Sequence, residues 1–207
     1  MGIVGRSNRY VYLTAQDARA YTVGRRGQSI KEIVLHHWGA KAQTFEQVMG
    51  WFCDNPRCET SAHYVVEAGR VACIVSPHDT AYHAGVWQRN LQSIGIECRP
   101  EATSEDYNTV AMLVADIWRE WGILPIVPHR AIVPTACPGD WNVGRVERMA
   151  KAYYDEFTAP HHPTAPDKWA EQAWAKATKK GLLDGTNPKS PLTRQELAIV
   201  LERLGAV

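Results

Sequence analysis

Apolar residues follow two rhythms along this chain: short unbroken runs, and runs spaced every three or four positions. Ile33-Val-Leu-His-His-Trp38 is a continuous apolar stretch closed by two histidines, and it predicts a buried strand. Thr44 then opens a helix, with Gln47 completing a capping box and Phe45, Val48, Met49 and Phe52 forming one apolar stripe. His63-Tyr-Val-Val-Glu67 and Val71-Ala-Cys-Ile-Val75 bracket Ala68-Gly69-Arg70, the pattern of a hairpin. Ser93 to Cys98 predicts a further strand. From about Glu105 to Trp121, Val110, Leu113, Val114, Ile117, Trp118 and Trp121 share one helical face, and Gly122 ends the helix. Ile126-Val127 predicts a last short strand, and a helix follows from about Trp141 to Phe157. Strands interleaved with helices indicate an α/β domain, a central mixed β-sheet flanked by helices.

Both rhythms stop at Thr158-Ala-Pro-His-His-Pro-Thr-Ala-Pro166, where three prolines in nine residues predict a stiff, extended linker. The expected organisation is a main domain over residues 1–157, a linker over 158–166 and a small module over 167–207. In the module, Lys168 begins a helix with Trp169, Ala170, Ala173, Trp174 and Ala177 along one side, stopped at Gly181. Leu182-Leu-Asp-Gly-Thr186 predicts a turn. Thr193 and Glu196 form a capping box for a second helix that turns Leu197, Val200, Leu201 and Leu204 inward. A helix-loop-helix of about forty residues encloses too little apolar surface to be very stable alone.

Composition narrows the function classes. The 207 residues are 45% hydrophobic and 22% charged with a net charge of +1, which removes the electrostatic reason to expect nucleic acid as a partner. No run of eighteen apolar residues is present, so no membrane span is expected. Met1 to Arg9 is polar and basic and lacks the apolar core of a signal peptide, which predicts synthesis in the cytoplasm. A substrate outside the cell would then require release of the protein. The odd count of cysteines (Cys53, Cys58, Cys73, Cys98 and Cys137) argues against a full disulfide framework and for free, partly buried thiols. Cys53 and Cys58 are close enough in sequence to pair after release. Eight tryptophans exceed what a core usually needs, and their rings can stack on sugar faces as well as pack.

His129 and Cys137 are separated by seven residues that include a proline. Imidazole nitrogen and thiolate sulfur are both good zinc donors, although this spacing alone is unspecific. His36-His37 strengthens the reading. Adjacent strand residues point to opposite faces, so one ring can face a cleft while the other packs. An unpaired imidazole in a sheet is costly, and hydrogen bonds to backbone would also relieve that cost. One of the two histidines with His129 and Cys137 makes three protein ligands, leaving a fourth position for water as in catalytic zinc sites. In Ser93-Ile-Gly-Ile-Glu-Cys98, alternation puts Ser93, Gly95 and Glu97 on one face. Glu97 then stands beside a glycine that leaves open space, well placed to take a proton from metal-bound water.

Five segments together resemble the zinc amidases shared by phage lysins and peptidoglycan recognition proteins. They are Ile33 to Gly39, Ser61-Ala-His-Tyr-Val-Val66, Ala81-Tyr-His-Ala-Gly85, Asn90 to Glu97, and His129-Arg130 with Thr135-Ala-Cys-Pro-Gly139, in family order. The resemblance implies Zn2+ held by His36, His129 and Cys137, with His37 structural and Glu97 the general base. Two departures stand out: Ala62 replaces a tyrosine, and Thr135 replaces a lysine, of some relatives. Oxyanion stabilisation would then fall to zinc, helped by Thr135 or His83. The implied reaction is hydrolysis, by zinc-activated water, of the amide between N-acetylmuramic acid and L-alanine in peptidoglycan. Trp38, His83, Trp87 and Arg130 are the expected cleft wall.

Pro191-Leu-Thr-Arg-Gln-Glu-Leu197 and the preceding tryptophan-alanine helix resemble a single S-layer homology repeat. That implies binding to a secondary cell-wall polymer, self-association, or docking on the amidase. A phage or prophage endolysin is the expected role. A cytosolic muropeptide-recycling amidase and a non-catalytic peptidoglycan-binding protein are the alternatives, the latter disfavoured by Cys137.

Overall fold

The computed structural model describes residues 10–13, 18–158, 166, 168–183 and 194–204. The chain divides into two units between Phe157 and Thr158. In the larger unit the elements run β1 (Val11–Leu13), β2 (Tyr21–Thr22), β3 (Glu32–His37), α1 (Phe45–Cys53), β4 (Tyr64–Glu67), β5 (Arg70–Cys73) and β6 (Thr80–Ala81). They continue with α2 (Trp87–Gln92), β7 (Ser93–Cys98), α3 (Ser104–Trp121), β8 (Ile126–Pro128), a 3-10 turn at His129–Ala131 and α4 (Val143–Thr158).

Six strands form one sheet in the order β1-β5-β4-β7-β3-β8, and β2 pairs with β6 in a separate two-stranded ribbon. Among the described residues of the large sheet, only the β4–β5 hairpin is antiparallel; every other neighbour runs parallel. The hairpin turns on Gly69, whose φ of 74° lies in the left-handed region that a Cβ disfavours. This is the mixed, helix-flanked sheet expected from the hydrophobic pattern.

Alternation along the central strands sorts side chains onto two cores. Ile33, Leu35, Ile94, Ile96 and Cys98 pack with Val110, Leu113, Val114, Ile117 and Trp118 of α3, and with Val146 and Ala150 of α4. On the opposite side, Val65 and Ala72 of the hairpin pack with Phe45, Val48 and Phe52 of α1. The predicted cap of α1 forms, with Thr44 and Gln47 bonding reciprocally. A second capping box, Thr103 with Asp106, starts α3.

Asp106 is fully buried and joins three segments. Its carboxylate accepts from the Ala68 amide in the hairpin turn (2.9 Å), the Thr103 amide (2.8 Å), the Thr103 hydroxyl (2.8 Å) and Arg99 (3.1 Å). One residue therefore fixes the first turn of α3 against both the hairpin and the end of β7.

Several boundaries differ from the sequence reading. α4 begins at Val143 rather than Trp141, because Trp141 turns into the core and donates its indole N–H to the Arg99 carbonyl (2.9 Å). Thr158, expected to open the linker, is the last residue of α4. The rest of the linker up to Ala165 lies outside the described residues, as does the Thr193 cap. None of the five cysteines forms a disulfide. No helix among the described residues is long and apolar enough to cross a membrane.

The small unit contains α5 (Glu171–Lys179) and α6 (Arg194–Arg203). Trp169 precedes α5 and is 87% exposed, and Leu197 and Leu204 are also exposed, so the expected inward faces are only partly covered. Two short helices offer too little surface to enclose them.

Candidate metal centre

Strand order and register build this site. β3 lies between β7 and β8, both parallel to it, so the C-terminal ends of all three open on the same edge. His36 pairs in register with Glu97, which places both side chains on one face of neighbouring strands. β8 ends at Pro128, and the following 3-10 turn presents His129. The chain then loops back, held by the Arg130 amide donating to the Cys137 carbonyl (2.9 Å).

The result is a compact donor group. His36, His129 and Cys137 place one ligand atom each within 4.8 Å of one another, and they are the group among the described residues that could hold a metal ion. His36 Nδ1 lies 3.7 Å from Cys137 Sγ, and the His36 and His129 rings are 4.4 Å apart. The His37 amide donates to the same sulfur (3.4 Å).

Burial dominates the electrostatics. It holds the His36 imidazole well below its ordinary range, aided by the neighbouring histidines. It pushes the Cys137 thiol up to about 12, against the opposing hydrogen bond from His37. It raises the Glu97 carboxyl to about 8. Glu97 Oε2 and His129 Nε2 are both enclosed, and neither has a hydrogen-bond partner among the described residues. Enclosed polar atoms without partners are expensive to keep. Two of them facing a histidine and a thiol make a site shaped for a cation.

The remaining expected residues are distributed differently. Thr135 is exposed, and its Oγ1 accepts from the Cys137 amide (3.2 Å). Arg130 is exposed, donates to the Gly139 carbonyl (3.3 Å) and stands near enough to Cys137 for its charge to act on the sulfur. Trp87 is 40% exposed, with the Arg26 guanidinium 5.0 Å over its ring. Trp38 is buried. It is 3% exposed and meets Phe45 edge-on in the second core.

His83 is buried as well. Its Nδ1 lies 3.0 Å from His36 Nε2 and its Nε2 lies 3.2 Å from Ser93 Oγ, so the ring sits beneath the donor group. It also fills the space expected to be open over Gly95, where a Cβ would come within 2.5 Å of the imidazole. Glycine is required there by close approach, and the gap beside Glu97 is occupied. His37 stays peripheral, its ring against Gly139 and its Nδ1 3.1 Å from the Trp38 carbonyl.

Four supporting residues escaped the sequence reading. Asn90 Oδ1 accepts from the amides of His83 (3.1 Å) and Ala84 (2.7 Å). Ser93 meets His83 as described. Arg25 is buried, its pKa lowered to about 10 by that burial, and it donates to the carbonyls of Pro77 (2.6 Å), Leu91 (3.0 Å) and Ser93 (3.0 Å). It also lies 2.8 Å from His63 Nε2, while His63 Nδ1 accepts from the Gly95 amide (2.9 Å). Asn90 and Ser93 lie within the Asn90–Glu97 segment already singled out, but Arg25 sits in a polar stretch with no pattern to betray it.

Comparison with known proteins bears on the family and the fold. A probable N-acetylmuramoyl-L-alanine amidase of Bacillus licheniformis is 29% identical over 133 residues, covering 55% of this chain and 37% of the relative. N-acetylmuramoyl-L-alanine amidase CwlL of the same species is 30% identical over 132 residues, covering 54% and 37%. The chain thus spans little more than a third of these curated relatives. Among solved structures, the catalytic domain of XlyA matches with a TM-score of 0.53 at 18% identity, covering 72% of this chain and 99% of that one. The endolysin LysCS from Clostridium intestinale URNW matches with a TM-score of 0.54 at 16% identity, covering 72% and 99%. These two share the fold. Residues 26–140, more than half of the sequence, match the family model for N-acetylmuramoyl-L-alanine amidase, and the chain belongs to that family.

Proposed function

We propose that this protein is a zinc-dependent amidase that hydrolyses the bond between the lactyl group of N-acetylmuramic acid and L-alanine in peptidoglycan. The observation that carries this reading is the convergence of His36, His129 and Cys137 within 4.8 Å. Two imidazole nitrogens and one sulfur are a zinc donor set with one position left for chemistry. The 3.7 Å between His36 Nδ1 and Cys137 Sγ is close to the ligand–ligand edge, about 3.5 Å, of a tetrahedron with zinc's usual bond lengths. Bound there, zinc supplies a Lewis acid that acidifies water and polarises a carbonyl.

The protein's own groups do the rest. Glu97, across the strand pair from His36, takes a proton from the attacking water as its oxygen adds to the amide carbon. It delivers that proton to the nitrogen as the carbon–nitrogen bond breaks. Thr135 spends an oxygen lone pair on the Cys137 amide and keeps its hydroxyl proton for a substrate oxygen. Trp87 and Arg130, both exposed, are assigned to the sugar and the stem peptide.

Purified protein incubated with cell walls is expected to liberate amino-terminal alanine without new reducing ends, and to stop when a chelator is added. Reducing ends instead would identify a glycosidase. The fold shared with LysCS supports an endolysin that reaches the wall after release from the producing cell. The small unit, in which Trp169 is 87% exposed, is assigned to wall attachment. Co-sedimentation with the same walls after removal of residues 158–207 tests that assignment; unchanged retention would overturn it in favour of self-association or docking on the amidase.

Metal loading carries a pH signature. Without metal at pH 7, burial keeps the Cys137 thiol protonated, its pKa being about 12, and the Glu97 carboxyl largely so, its pKa being about 8. Zinc needs the thiolate and draws the nearby carboxyl towards ionisation, so uptake releases protons. Calorimetry in buffers of different ionisation enthalpy is expected to show between about one and two protons released per zinc at pH 7. Above the Glu97 pKa that residue is already ionised, and release falls towards about one. Glu97→Gln is expected to release about one throughout. Uptake without proton release would remove Cys137 from the ligand set.

A further inference from the structure

We infer, taking His36, His129 and Cys137 as ligands as proposed above, that His83 is a positioning residue that dictates which nitrogen of His36 faces the metal. The direction of each hydrogen bond follows from the one before it. Ser93 Oγ lies 2.5 Å from the Arg89 carbonyl, and a carbonyl can only accept, so the hydroxyl proton points there. The serine oxygen then turns lone pairs towards His83 Nε2 at 3.2 Å, which makes that nitrogen the donor. A neutral imidazole carries a single proton, so His83 Nδ1 is bare. It stands 3.0 Å from His36 Nε2 and accepts the proton carried there.

His36 Nδ1 is therefore left with a free lone pair, and it is the nitrogen aimed at Cys137 Sγ. The opposite tautomer would set a proton where the metal belongs and turn two lone pairs towards each other across the His36–His83 contact. Hydrogen bonding at the far nitrogen of a ligating histidine is the usual way a protein fixes its tautomer and orientation.

The His83 ring has little freedom to swing away. Asn90 Oδ1 clamps the backbone amides of His83 and Ala84. The ring lies against Gly95 so closely that a Cβ would collide with it. The Ala84 backbone also hydrogen-bonds His129, so this one segment supports two of the three donors. α2 supplies Asn90, and the first residue of β7 supplies Ser93. The supporting shell is thus built from elements next to the site and separate from the ligands themselves.

Three measurements on the full chain test this. Nitrogen-15 NMR of the metal-free protein is expected to show His36 as the Nε2–H tautomer, becoming mixed in Ser93→Ala and in His83→Leu. Zinc competition against a chromophoric chelator is expected to show affinity about 10–100-fold weaker in His83→Leu. His83→Asn, whose Oδ1 can stand where Nδ1 does, is expected to recover most of it, and Ser93→Ala to lose less than His83→Leu. Cobalt absorption spectra should follow the same order. An Nδ1–H tautomer in the wild type, or equal zinc affinity in folded His83→Leu, would overturn the inference. A wild type that fails to bind zinc would instead overturn the ligand assignment, with the tautomer still readable.

Discussion

Glu97→Gln is expected to lower amide hydrolysis by about 10²–10⁴-fold, the usual contribution of a general base, while zinc content and fold stay as in the wild type. The glutamine keeps the shape of the side chain and loses the ability to accept the water's proton. Register sets the residue opposite His36 on the neighbouring strand, which supports the role proposed for it. Its Oε2 is enclosed and lacks a partner among the described residues, as befits a group whose partner arrives with substrate and metal. Burial raises its pKa to about 8, so in the metal-free protein it is mostly neutral at pH 7; a cation beside it favours the ionised form that a base requires. Release of amino-terminal alanine from cell walls, beside a metal assay of the same sample, checks the expectation. Wild-type turnover in the zinc-loaded variant would assign proton transfer elsewhere.

Asp106→Ala is expected to cost the larger unit about 3 kcal/mol or more, because several donors lose one buried acceptor together. The Ala68 and Thr103 amides, the Thr103 hydroxyl and Arg99 all converge on that carboxylate. Arg99 is partly exposed and can recover some hydration, so its share is discounted. The capping box of α3 is lost at the same time. For a unit of this size the melting temperature should fall by roughly 6–12 °C. Denaturant unfolding of the wild type and variant measures the difference directly. A change below about 1 kcal/mol would mean that water replaces the carboxylate at little cost.

What the sequence made legible follows the strength of its periodic signals. β3, β7, α1 and α3 carry runs long enough to fix their type, and the residues of α3 expected to face inward do so, with Trp121 partly covered. β8, three residues long, was read from its apolar pair, but β1, β2 and β6 show no period in two or three residues and their pairings are set by distant partners. α2 is six residues long and lacks a side-chain cap, so nothing local announced it. At the site, alternation placed Glu97 and His36, but it could not say what fills the space above a glycine. That space holds His83. Trp38 keeps the facing of His36 two residues before it, but alternation could not say that Phe45 and its neighbours would cover the ring. Ser93 and Asn90 act through hydrogen bonds to other segments, information that no local pattern contains.

His36 and Cys137 are separated by 101 positions in sequence, and β8 must dock beside β3 before they meet. Long-range closure of this kind comes late, since its entropic cost falls before its contacts can reward it. A nascent or half-assembled chain consequently presents scattered single donors with little hold on a metal. On the proposed ligand assignment, metal binding would arrive only with completion of the sheet, and fragments or folding intermediates would lack it.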